Sequence, residues 1–324
     1  MIVKQRTKPR KLLQYEALLR RLPPTHPIIP KLTTLTKNLK AGYRGECEVD
    51  YQLTILSEND YLMLQDIRLE YAPDQFIQMD TIILTARFIA LLEIKNFIGT
   101  LQFDRKTKQF KRIYLENEES FLDPITQVEK QRTLLKNWLE KKYYPELPIL
   151  PFVIISFPYT NFSDPFSSKY DQTKILPAAA LPNYFLQLEQ TKSQIKIDQK
   201  EIRKLGRGLA KQHKAPQEDV LKFFALTKND LLVGGYCQKC TSCSVIRKNG
   251  KWICMQCLTE VKDAHFQTLN DYHLLIGEKI TMSEFQHFMN LHSNSIASKS
   301  LRSFQFPFTG GRKNRAYKIT LDLM

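Results

Sequence analysis

Two short apolar runs carry the clearest pattern in the chain. Ile82 to Thr85 and Phe88 to Leu92 are rich in β-formers, and only Ala86 and Arg87 separate them. This predicts adjacent antiparallel strands joined by a tight turn. A strand from Tyr61 to Glu70 precedes them, and a further pair is expected at Thr100–Phe103 and Gln109–Tyr114. Asp123-Pro124 is a helix start, an N-cap followed by proline in the first turn. Leu134, Leu135, Trp138 and Leu139 supply that helix with an apolar face. Pro148 to Phe157 is a continuous apolar run, which predicts a buried strand reached by a crossover through the helix. Upstream, residues 10–22 read as an amphipathic helix stopped by Pro23-Pro24, and a second helix is expected from Leu32 to Ser57. Gly42 and Gly45 lie inside the second helix. Each costs about 1 kcal/mol against Ala in a helix interior, so they mark a break or a close backbone approach. The resulting order is α-β-β-β-α-β.

The remainder is less periodic. Residues 161–170 read as a polar loop. Residues 181–188, 198–213 and 219–226 read as helices of a connector or a lid, with Gly206 and Gly208 weakening the second. Near the C-terminus, Thr281 and Glu284 have the spacing of a capping box before a helix reaching Leu291. A short helix at 298–304 and a basic hairpin at 308–319, with Gly310-Gly311 at its turn, follow. Helix, helix and basic hairpin resemble a small winged-type binding module.

Charged residues interrupt the apolar strands. A hairpin centred between residues 86 and 87 pairs positions whose numbers sum to 173. Asp80 and Glu93 then face each other, with Cβ atoms roughly 4.5–5.5 Å apart, where like charges repel. Period-2 alternation puts Lys95 on the face of Glu93, and a one-residue slip would move one acid to the other face. Two carboxylates and an ammonium in one cluster suit metal-assisted hydrolysis. Mg²⁺ takes one or two carboxylates plus substrate phosphate and keeps several waters. The plainer alternative is an exposed hairpin in which both acids share Lys95, against which the flanking Ile and Leu runs argue.

Five of the six cysteines fall between 237 and 257. Cys237-x2-Cys240 and Cys254-x2-Cys257 are spaced as a four-cysteine structural zinc site of ribbon type. Cys243 offers an alternative first pair with Cys240, but Gly234-Gly235 provide a turn just ahead of Cys237. Such ribbons bind nucleic acid or protein. The isolated Cys47 is expected to pack in a core.

Gly45-Glu46, Asp80 and the run Glu93-Ile-Lys95-Asn96-Phe-Ile-Gly99 resemble the motifs of the nuclease-related domain (NERD) family, within the PD-(D/E)xK nuclease superfamily. Met79 stands where the superfamily name has proline. The resemblance implies an α/β fold with a restriction-endonuclease-like core. It implies Asp80 and Glu93 as ligands of Mg²⁺ or Mn²⁺, Lys95 as the catalytic lysine, Glu46 as a supporting acid from the preceding helix and Gln127 as a site residue of the helix after the sheet. The three acids are then expected to converge within metal-ligand reach.

Charge adds a partner. The formal net charge is +15, and residues 1–40 hold ten Lys/Arg against the single acid Glu16. Residues 192–214 hold eight against Asp198 and Glu201. Such segments suit a polyanion, nucleic acid and DNA in particular, with an anionic membrane surface as the rival. No apolar run approaches the ~20 residues needed to span a bilayer, and the first residues lack a signal-peptide pattern, so a cytoplasmic protein is expected. Four parts are expected: a basic helical segment at 1–40, the nuclease-like domain at 41–160, a helical connector at 161–232, and a small zinc-binding α+β module at 233–324.

Overall fold

The apolar runs on either side of Ala86-Arg87 form strands, and the helix expected at Asp123-Pro124 begins at its cap. The chain runs β1 (Ile2–Lys4), α1 (Arg10–Arg21), α2 (Ile29–Leu53), β2 (Leu62–Ala72), β3 (Gln75–Leu84), β4 (Ile89–Lys95), β5 (Thr100–Asp104), β6 (Gln109–Tyr114) and β7 (Asn117–Leu122). It continues with α3 (Pro124–Lys141), β8 (Ile149–Ile155), β9 (Asn161–Phe162), β10 (Ile175–Pro177), α4 (Leu181–Thr191), α5 (Gln199–Lys211) and α6 (Val220–Phe223). The last elements are β11 (Gly235–Cys237), β12 (Ser242–Lys248), β13 (Lys251–Cys254), α7 (Ala264–Leu275), β14 (Lys279–Thr281), α8 (Met282–Phe288), α9 (Asn294–Ser303), β15 (Phe308–Thr309) and β16 (Ala316–Lys318). The structure is a computed structural model and describes residues 1–320 except 105–108, 143, 145, 163–174, 192–196, 263 and 312–313. Most of the expected loop at 161–170, and the start of the basic stretch at 192, lie outside the described residues.

The chain divides into two units. Residues 1–7 and 40–216 form the first, and residues 8–39 and 217–324 the second. The expected basic segment 1–40 is thus split: its first seven residues belong with residues 40–216.

In the first unit a six-stranded sheet has the order β1-β2-β3-β4-β8-β10. β2, β3 and β4 are antiparallel, and β8 runs parallel to β4 after the crossover through α3. The order α2-β2-β3-β4-α3-β8 is the α-β-β-β-α-β arrangement expected. The pairs Thr81–Leu92, Ile82–Leu91, Ile83–Ala90 and Leu84–Ile89 all sum to 173, the register expected of the hairpin.

The central strands are apolar throughout because the sheet is covered on both faces. Ile82, Leu84 and Leu91 pack with Val128, Leu135 and Trp138 of α3 and with Ile202, Leu205 and Leu209 of α5. Their neighbours Ile83, Ala90 and Leu92 point the other way, to Val49 and Leu53 of α2 and Phe185 of α4. β5, β6 and β7 are inserted between β4 and α3 and form a second sheet of order β7-β6-β5-β9. α2 is unbroken at its glycines. Asp123 caps α3, accepting from the N–H groups of Ile125 and Thr126.

In the second unit β11, β12 and β13 form an antiparallel ribbon, and β14, β16 and β15 a small antiparallel sheet. The helix α7, absent from the sequence reading, lies between them in the chain. Its Asp271 is fully buried: Oδ1 accepts from Arg20 and Gln267, and Oδ2 from Arg21, with both arginine contacts at 2.7 Å. The Thr281–Glu284 capping box is present, but α8 ends at Phe288 and α9 begins at Asn294 rather than 298. No helix among the described residues is long and apolar enough to cross a membrane.

Candidate active site and zinc centre

The acidic site lies where β3, β4 and α2 meet. Asp80 and Glu93 stand one step beyond the last paired residues of the hairpin, Thr81 and Leu92. There Asp80 Oδ2 accepts from the backbone N–H of Ile94 at 2.8 Å. Burial pushes the Asp80 carboxyl well above the usual carboxylate range, and the charges of Glu93 and Glu46 push it further. The Ile94 N–H and Lys95 oppose that shift without cancelling it.

Glu93 is 3% exposed and uses both oxygens. Oε1 accepts from Lys95 Nζ at 2.7 Å, and Oε2 from Gln131 Nε2 at 2.8 Å. Lys95 also donates to Gln127 Oε1 at 3.1 Å. Gln127 and Gln131 sit one turn apart on α3, the i,i+4 spacing that puts both on one helix face. Gln131 was not anticipated, although that spacing from Gln127 marks it. Its Oε1 is buried without a hydrogen-bond partner among the described residues.

Glu46 approaches from α2, and its position depends on Gly45. A Cβ at residue 45 would lie 2.4 Å from Ser156 Oγ and 2.5 Å from Asn96 Cβ, so only glycine admits the helix this close to the ends of β4 and β8. Asn96 fastens the approach by donating to the Ala41 carbonyl at 2.6 Å. Gly99, at φ +109°, then turns the chain into the second sheet, where a Cβ would meet the Ile113 carbonyl. The Glu-x-Lys-Asn-x-x-Gly stretch thus combines site chemistry with the geometry that holds a helix against it.

Glu46 itself is turned to Arg6, with Nη1 to Oε2 at 2.6 Å. The same guanidinium donates to Asp50, to the Asp80 carbonyl and to Thr81 Oγ1. Burial raises the Glu46 carboxyl above its ordinary value, and Arg6 pulls against that rise. The three acids therefore do not close into one ligand group. Among the described residues, the group of three or more donors within ligand reach is the cysteine set. Arg6, 8% exposed, is a counter-ion not expected from the sequence, since it sits in a basic segment that reads as suited to a polyanion. Cys47, expected in a core, is exposed. α2 turns Gly45 and Val49 inward, and Cys47 lies two residues from each, on another side of the helix.

In the second unit the sulfurs of Cys237, Cys240, Cys254 and Cys257 all lie within 4.8 Å of one another. Two of the separations, Cys237–Cys257 at 3.6 Å and Cys240–Cys254 at 3.4 Å, approach the ~3.8 Å edge of a tetrahedron with Zn–S bonds of about 2.3 Å. All four are free thiols. The backbone N–H groups of Lys239 and Cys240 reach the Cys237 sulfur, and those of Gln256 and Cys257 reach Cys254. Each pair is followed by a residue in the left-handed region, Thr241 and Leu258, which folds the backbone around the sulfurs. Hydrogen bonds with Thr259 bring the Cys257 thiol down to about 6, favouring the thiolate a metal needs. Cys243 stands apart, donating to the Arg20 carbonyl at 3.2 Å. The donor set fits zinc with every position filled by protein.

No curated protein and no solved structure matches the chain. Residues 41–156 match the family model of the nuclease-related domain, which takes in Glu46, Asp80, Glu93, Lys95, Gln127 and Gln131 and leaves Arg6 outside.

Proposed function

We propose that the first unit is a metal-dependent nuclease that hydrolyses phosphodiester bonds of DNA. The observation that supports it most is the charge imbalance at Asp80: a half-buried carboxylate whose charge is opposed by those of Glu93 and Glu46, with Arg6 and Lys95 already engaged by other acids. Such a position is costly unless a cation fills it. Asp80 and Glu93 are the residues that would hold Mg²⁺ or Mn²⁺. When bound, the ion supplies charge stabilisation at the phosphoryl oxygens and a more acidic water.

The protein groups then have separate roles. Gln131 fixes one Glu93 oxygen, which orients the carboxylate. Glu93 and Gln127 aim the Lys95 ammonium, which would hold the attacking water or the developing phosphoryl charge. Glu46 supports the acidic field from α2 while Arg6 sets its distance. The four cysteines would hold a structural zinc, and that unit is also open to protein partners. Free thiols at this density suit the cytoplasm.

The test is cleavage of single-stranded, duplex and nicked DNA with Mg²⁺ or Mn²⁺, comparing the wild type with Asp80→Ala and Lys95→Ala. Loss of cleavage in both variants is expected. Cleavage that survives both would overturn the site. Salt-dependent binding without cleavage of any substrate would instead identify a nuclease fold retained as a binding scaffold.

A further inference from the structure

The last six elements of the second unit run helix, strand, helix, helix, strand, strand, from α7 to β16, and their sheet has the order β14-β16-β15. The final strand therefore pairs on both sides, and β15 and β16 form a hairpin with β15 at the sheet edge, the position a wing takes. α8 and α9 are joined through residues 289–293. In that joint Asn290 takes the left-handed conformation, φ +53°, while Met289 and Leu291 are buried on either side of it. Two helices joined by a short turn have the connectivity of a helix-turn-helix, whose second helix is the one that enters a groove.

α9 has the surface such a helix needs. Ala297 and Leu301 are buried, whereas Asn294, Ser295, Ile296, Lys299 and Arg302 are exposed. Residues 294–320 contain six Lys/Arg and no acid. Among the described residues, neither Lys299 nor Arg302 on α9, nor Arg315 or Lys318 on the wing, is in an ion pair. The Arg315 guanidinium carbon lies 4.0 Å from the centre of the Phe308 ring, and its Nε is buried without a hydrogen-bond partner among the described residues. A guanidinium held against a ring in this way keeps its terminal amino groups for a phosphate oxygen.

We propose that residues 264–320 form a winged helix that docks on duplex DNA, with α9 in the major groove and the wing on the adjacent backbone. The major groove of B-DNA, about 12 Å wide, admits a helix, whereas the deep, narrow groove of A-form RNA cannot be read by side chains. Lys299, Arg302 and Arg315 contact phosphates; the short polar residues Asn294 and Ser295 at the start of α9 face base edges. The inference is independent of the cleavage reading and holds whether or not the first unit cuts.

The experiment is fluorescence anisotropy of the full chain in EDTA-free, Mg²⁺-free buffer, which leaves the cysteine site undisturbed. The probes are a 20-base-pair DNA duplex, one of its strands, and an RNA duplex of the same sequence. The duplex DNA is expected to bind tightest. Lys299→Gln with Arg302→Gln should lower that affinity at least ~10-fold and flatten the plot of log affinity against log salt by about 1.8, at roughly 0.9 per lost phosphate contact. Lys136→Gln with Lys141→Gln, on exposed positions of α3 outside both basic segments, is the charge-matched control and should change the duplex preference little. Far-ultraviolet circular dichroism and zinc content verify that each variant is folded. Folded α9 variants that bind duplex DNA like the wild type would overturn the proposal, as would equal or tighter binding of the RNA duplex or of the single strand.

Discussion

Asp80 and Asp271 are carboxylates set into the fold, one in each unit, the first half-buried and the second fully so, and their surroundings differ in sign. Asp271 lies between two guanidiniums, and each of its oxygens meets a cation. Asp80 receives one backbone N–H, while the nearest cations are occupied elsewhere, Arg6 by Glu46 and Asp50 and Lys95 by Glu93. One cluster is closed by the chain; the other leaves negative charge for something outside it. Breaking a closed buried pair removes stability, whereas removing a charge from an open cluster relieves repulsion. The cysteine set is open in the same sense, with four thiols converging and, among the described residues, no cation paired with them.

The largest effect expected from this contrast is at the cysteines. Structural zinc contributes folding free energy of order 10 kcal/mol in small zinc domains. Elemental analysis should find one zinc per chain in the wild type and in Cys243→Ser, and none in Cys257→Ser. Loss of zinc from Cys243→Ser would assign the ligands differently. Next comes Asp271→Ala, which strands two arginines and should cost roughly 3–5 kcal/mol in urea unfolding. Asp80→Asn should cost nothing in metal-free buffer and raise the unfolding midpoint, while lowering Mg²⁺-dependent cleavage by more than about 100-fold, since even outer partners of a metal ligand are worth 10–100-fold. An Asp80→Asn protein as destabilised as Asp271→Ala would erase the distinction between the two clusters. Gln131→Leu, which frees one Glu93 oxygen, should lower cleavage by about 10–100-fold.

The smallest effect is on pH dependence. The folded Asp80 carboxyl titrates above its unfolded value, so between the two values the folded state holds the extra proton. Its contribution to stability is therefore complete below the unfolded value, near pH 4, and is lost as pH rises through the folded one. Metal-free wild type should show this decline in urea midpoint relative to Asp80→Asn, and saturating Mg²⁺ should remove the difference. A midpoint difference that is flat with pH would contradict the shift.

Much of the acidic site could be read from residue order because hairpin register is local. Two apolar runs divided by two residues leave one pairing, and the observed ladder follows it. Arg6 could not be read, because a buried arginine has no local signature and its partners are 40 to 75 residues away along the chain. The helix α7 was missed for a related reason. It buries Ala264, Thr268, Leu269, Asp271, Tyr272, Leu274 and Leu275, which cover too much of its circumference to form an amphipathic stripe. β7 was missed for the opposite one: its residues, Asn117 to Leu122, are almost all exposed and polar. In the ribbon, spacing alone left two cysteine pairings open, and the link between Cys243 and the Arg20 carbonyl closed one of them.

The path of the chain between the two units has a genetic consequence. The backbone passes from one unit to the other at residues 7–8, 39–40 and 216–217, so neither unit is a contiguous stretch of coding sequence. A recombination event that copied codons 41–156 would transfer the acids and the lysine but leave behind Arg6, the residue that sets Glu46 against the sheet. Exchange of that stretch alone would thus separate Glu46 from the arginine it is paired with, although the two meet in the folded chain.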